Sequence, residues 1–272
     1  MGNDPIANVQ QAITLLLGVT EPQFLAIGNQ LFMSFATILI AWRGIRMMLT
    51  GRQLGDDMFG FAKLLLFISF GYAMIAYYAS PIPGIGLSFS NLITDQAAHL
   101  AGIISARSVQ NALQTLNNLW NSLAQPDAWS IIANLLYWTL LIVIALAQFA
   151  VMAVVSFSMI ASAVCALVGP LFVPFFIVPT LEWLFWGWLK AFVQYSFMLV
   201  IANAFIFVFE HFLSQYLQTL PPGLLLEDQL LYAESAVMVL VTFTVGVLKV
   251  PSLTSSIFSG RSGESTTPTS VF

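Results

Sequence analysis

Residues 24–42, FLAIGNQLFMSFATILIAW, are apolar with scattered amides and no charge. A run of this length matches the hydrocarbon core of a bilayer when wound as a helix. Residues 59–79 repeat the pattern and carry Lys63 near their start. Residues 131–179 are apolar almost throughout, and residues 191–209 and 232–249 are two further runs. The pattern predicts an all-α, multispanning helical membrane protein with about five transmembrane helices.

The segments between these runs are amphipathic or broken. Asp4 before Pro5 reads as a helix cap and first turn, and Ile6, Val9, Ile13, Leu16 and Leu17 follow helical spacing against Asn8, Gln10 and Gln11. Gly18 can cap the far end, so a surface-lying amphipathic helix is expected over residues 1–23. The alternative is a tail that merely precedes the first span. The Pro/Gly-rich SPIPGIG follows the second run, and residues 91–123 then read as an extracytoplasmic amphipathic segment. Val109, Leu113, Leu116, Trp120 and Leu123 form a short heptad seam, with Gln, Asn and Thr opposite. Such a seam can pack on the membrane, on its own chain or on neighbouring subunits.

Charge orients the spans. Arg43, Arg46, Arg52 and Lys63 surround the loop between the first two runs. Basic loops stay on the cytoplasmic side, which places the N-terminus outside. The long run 131–179 can hold one crossing ended by Gly169–Pro170, or two crossings that meet near Ser156. One crossing keeps Lys190, Lys249 and Arg261 on the same side as the first basic loop, whereas two crossings put them opposite. Charge therefore favours five spans over six. The expected divisions are 1–23 for the surface helix, 24–80 for the first two spans, 81–130 for the extracytoplasmic region, 131–250 for the transmembrane core and 251–272 for a disordered cytoplasmic tail.

Composition agrees. Apolar residues are 59% of the 272 and charged residues only 7%, whereas soluble domains carry about 25% charge. Lipid must be the main solvent. The N-terminus has neither a basic n-region nor a small-residue cleavage site, so no cleavable signal is expected. The lone Cys165 lies in apolar sequence and reads as an inert thiol.

One stretch departs from a plain span. In CALVGPLFVPFFIVPTLEWLFWGWLKAF, Pro170, Pro174 and Pro179 interrupt an apolar run, and Trp183, Trp186 and Trp188 follow. Each proline removes a backbone donor, and tryptophan favours the membrane boundary. A broken segment near the cytoplasmic boundary is expected, with Trp183 and Trp186 on one helical face and Trp188 on another, toward a partner. Non-helical backbone at membrane depth needs protein or water to satisfy it.

The run VGPLFVPFFIVPTLEWLFWGWLKAFVQY resembles the signature region of the TrbL-type family, polytopic inner-membrane subunits of type IV secretion systems. The resemblance rests on Gly169 and Pro170, followed by the aromatic cluster Phe185, Trp186 and Trp188. It is specific over about residues 130–210 and architectural elsewhere. It implies a non-enzymatic subunit of the bacterial inner membrane, N-terminus periplasmic and C-terminus cytoplasmic, within a conjugation machine. A homo-oligomer supporting pilus or stalk assembly is implied. So are contacts with the minor pilin, the bitopic scaffold and the ATPases, and transient contact with translocated DNA or protein.

Candidate chemistry is sparse. His99 and His211 lie apart without a Cys or carboxylate set at metal spacing, and no phosphate-cradling or zinc-protease motif occurs. No catalytic residue, cofactor or metal is expected. The polar residues within the spans are amides, among them Gln148, Gln194 and Asn203, which suit contact between helices or subunits. Glu182 is the one acid in the signature stretch, either a helix start or a dock for a basic partner. The alternative function is a small transporter or channel that works without a secretion machine.

Overall fold

The structure is a computed structural model that describes residues 5–50, 54–105, 108–123, 125–126, 130–219 and 230–259. Among them there are seven α-helices and one 3-10 helix, and no strand. The α-helices are α1 (Pro5–Thr50), α2 (Leu54–Ala76), α3 (Phe89–Ser105), α4 (Ser108–Ser122), α5 (Ile131–Phe172), α6 (Glu182–Gln218) and α7 (Leu230–Ser259). The 3-10 helix, Val173–Ile177, joins α5 to α6. Helices are the natural outcome for such apolar runs, because they satisfy every backbone group without water. Five of them, α1, α2, α5, α6 and α7, are long and apolar enough to cross a membrane. Their large exposed side chains, such as Trp42, Phe59, Trp138, Phe207 and Met238, are those lipid would solvate.

Three boundaries differ from expectation. α1 does not stop at Gly18 but continues for 46 residues, with Pro22 inside it. A single helical glycine costs only about 1 kcal/mol, too little to end a helix flanked by apolar runs. The run 131–179 is one helix of 42 residues that passes Gly169–Pro170 and ends at Phe172. α7 passes Pro251 and ends at Ser259, so the first nine residues of the expected tail, 251–259, are helical; Thr254 is buried and bonds the Val250 carbonyl. Arg52 and the chain beyond Ser259 lie outside the described residues.

The chain forms two compact units. The first comprises residues 1–96 and 159–196 and contains α1, α2, the 3-10 helix and the adjoining parts of α5 and α6. Its core gathers Phe32, Ile75, Tyr78, Val173, Ile177, Phe185, Trp188 and Phe192. The second comprises residues 97–158 and 197–272. There α6 and α7 run antiparallel, matched by Phe197 with Phe258, Phe209 with Phe243 at 4.9 Å, and Tyr216 with Ser235. Phe205 packs onto Gly246 between those pairs.

Candidate functional site

The proline break sits at the heart of the first unit, and its construction starts from what proline removes. Pro170 has no N–H, so the Ala166 carbonyl four residues earlier loses its usual helical donor. The Tyr78 hydroxyl donates to that carbonyl instead, at 2.6 Å. One residue earlier, the Trp188 indole N–H donates to the Cys165 carbonyl at 2.8 Å. Tyr78 lies just past the end of α2 and Trp188 lies on α6, and both are buried.

Gly169 makes this closure possible, because a β-carbon there would collide with the Tyr78 hydroxyl and the Trp188 ring. Gly28 does the same for α1: a β-carbon would strike the Pro170 carbonyl. Two glycines thus let α1, Tyr78 and Trp188 close on a backbone that proline has opened.

Beyond Phe172 the chain tightens into the 3-10 helix, with Pro174 in its first turn. Val178 is extended (φ −100°, ψ 105°), as a residue before proline must be. Then Pro179 ends the segment and α6 starts at Glu182, an acid in its first turn. The segment is packed by aromatics at every step. Phe175 meets Phe35 of α1, and Phe176 meets Phe67 and Phe70 of α2. Phe185 packs on Phe176, and Trp188 stacks on Phe172 and Phe192.

These contacts set the depth of the break. Gly169 lies beside Tyr78, Ile177 beside Gly71, and Pro179 and Glu182 beside Arg43 and Lys63. The segment therefore runs along α2 from its far end to its basic end. Only its Pro179 end is at the basic loop; Pro170 and Pro174 are buried against the helix pair.

The predicted residues divide accordingly. Gly169, Pro170, Pro174, Phe185 and Trp188 are brought together in the core of the first unit, while Trp183 and Trp186 are exposed. Trp188 was expected to face a partner; it is 6% exposed and faces its own chain instead. Its position two residues past Trp186 turns it to the opposite side of α6, where the break supplies aromatic neighbours. Trp186 donates to Glu182 Oε1 at 2.6 Å. Arg43, Arg46 and Lys63 converge on one cleft with Glu182 and Pro179.

In the second unit, α4 buries Val109, Ala112, Leu116 and Leu119, leaves Leu113 and Leu123 half-buried, and exposes Trp120. The buried face is the predicted seam turned by part of a step, because two positions expected to be Leu113 and Trp120 are taken by Ala112 and Leu119. Asn203, expected at a contact between helices or between subunits, donates its amide N–H to Leu199 of its own helix at 2.9 Å. Gln148 and Gln194 are half-buried. The contacts between helices that sequence reasoning missed are hydroxyl pairs: Ser162 with Ser196 at 2.8 Å in the first unit, and Tyr216 with Ser235 at 2.7 Å in the second. Tyr78 was missed as well. Its only signal was indirect, since a mid-helix proline requires some donor for the carbonyl it orphans. Among the described residues no group of three His, Cys, Asp or Glu side chains is placed to hold a metal.

A family model described as TrbL/VirB6 plasmid conjugal transfer protein matches residues 36–250. No curated protein matches the chain. The match covers most of the sequence, including the whole proline break, and the chain belongs to the TrbL/VirB6 family. It is a multi-pass membrane component of conjugal transfer and type IV secretion, associated with other components of that apparatus.

Proposed function

We propose that this subunit works in the bacterial inner membrane by assembly and not by catalysis. It oligomerises, supports substrate translocation and pilus or stalk assembly, and engages the minor pilin, the bitopic scaffold and the ATPases. The observation that carries this reading is the family match over residues 36–250, the stretch that contains three of the five long apolar helices whole and parts of α1 and α7. The functional core is the proline break, which acts as a rigid, aromatic-locked element presenting Trp183 and Trp186 outward beside the basic ends of α1 and α2. α4 offers Trp120 as a second contact surface. The convergence of Arg43, Arg46 and Lys63 supports a cytoplasmic α1–α2 loop and a periplasmic N-terminus.

The test is deletion and tagged complementation in the chain's own secretion system. Deletion is expected to abolish conjugal transfer, and the tagged protein, purified in mild detergent, to bring other secretion subunits with it. Transfer that persists after deletion, together with a chain that purifies alone, would sink the reading in favour of an independent transporter.

A further inference from the structure

In the first unit, a cleft of about 390 Å³ opens between α1, α2 and the Pro179 end of the break. Arg43, Arg46 and Lys63 line it, with Glu182 as the one acid. Arg46 is already engaged in an interaction, so Arg43 and Lys63 are the cations the cleft offers a ligand. The side chains of Asp56 and Asp57 lie outside the described residues. Glu182 is already engaged, accepting the Trp186 indole N–H. Arg43 lies across Gly60, and its Nε is buried with no hydrogen-bond partner among the described residues. A buried donor left unpaired is costly, and a phosphate oxygen is the natural complement of a guanidinium.

One turn further from the basic loop along each helix the chemistry changes. Leu39 on α1 and Phe67 on α2 line the same cleft, and Phe176 and Ile177 of the break close it. A ligand that satisfies both halves must carry a phosphate at one end and hydrocarbon at the other. Free phosphate would leave the apolar wall exposed, and an acidic peptide would have to bring its backbone against that wall. We propose that this cleft binds an anionic phospholipid, with the phosphate on Arg43 and Lys63 and an acyl chain along Phe67 and Phe176. Basic pockets between membrane helices suit such head groups. The proposal rests on the chain being embedded in a membrane, whichever machine it serves.

The test uses the full-length chain purified in detergent. Native mass spectrometry and thermal melting would compare phosphatidylglycerol with phosphatidylcholine of the same acyl chains, and with inorganic phosphate. Phosphatidylglycerol is expected to stay bound through activation and to raise the melting temperature, while phosphatidylcholine does neither and millimolar phosphate does not compete. The variant R43Q/K63Q is expected to weaken phosphatidylglycerol binding about tenfold, and K249Q to leave it unchanged. Equal retention of both lipids, displacement by phosphate, or undiminished binding by R43Q/K63Q overturns the proposal. Should that variant fail to fold, a photoactivatable residue in place of Leu39 decides the matter in cells. Crosslinks to phospholipid support the site, and crosslinks to protein alone overturn it.

Discussion

The two units spend their buried polar groups differently. In the first, Tyr78 and Trp188 reach across the chain to carbonyls on α5, one of them 88 residues away. In the second, most polar side chains bond their own helix one turn back: Ser158 to Val154, Asn203 to Leu199, Thr244 to Leu240 and Thr254 to Val250. The Tyr216–Ser235 hydroxyl pair is an exception, linking α6 to α7. The lesson concerns what each unit must solve. Unbroken helices meet their own backbone needs and require only apolar packing between them. α5, opened at Pro170, hands the unmet Ala166 carbonyl to Tyr78, which becomes fixed in place.

The largest expected effect lies where the first unit is tightest. Gly169→Val places a branched side chain on the Tyr78 hydroxyl and the Trp188 ring, removing both bonds at once. It is expected to cost about 3 kcal/mol, read as loss of the folded protein from membranes and of its melting transition. A Gly169→Val protein that melts like the wild type would break the comparison.

Next comes Tyr78→Phe, which leaves the Ala166 carbonyl unsatisfied in an apolar interior for about 1–3 kcal/mol. The sharper form is a double-mutant cycle with Pro170→Ala, which restores a backbone N–H for that carbonyl. In the Pro170→Ala background, Tyr78→Phe is expected to cost clearly less, giving a favourable coupling. Additive effects would mean the hydroxyl does not substitute for the missing backbone donor.

The smallest effect is expected in the second unit. Asn203→Leu removes an amide bonded only to its own helix and is expected to stay within about 1 kcal/mol of wild type in thermal melting. A larger loss would show that Asn203 serves a contact between subunits after all.

These differences explain how much the sequence could disclose. The long apolar runs, the proline–tryptophan signature and the basic loop are local patterns, and each was legible. The depth of the break was not, because it depends on Gly28 and Gly169, whose value lies in what approaches them. Trp188 was misjudged because helical spacing states which face a side chain takes, without saying what lies opposite. The α4 seam was read from its largest residues, although Ala112 is buried and Trp120 is exposed; close packing favours the smaller side chain. Tyr78 could have been sought, though not located, from Pro170 alone.

The 88-position separation of Tyr78 and Ala166 also describes an order of events during synthesis. The ribosome delivers α1 and α2 long before the segment that lies along them. The nascent pair must enter the membrane with a vacant groove and with Tyr78 lacking its eventual carbonyl. Lipid or the insertion machinery must occupy that groove until α5 and the break emerge. Any pause or truncation between residues 79 and 165 leaves a stable-looking helical hairpin with its most specific surface open, a natural substrate for membrane quality control.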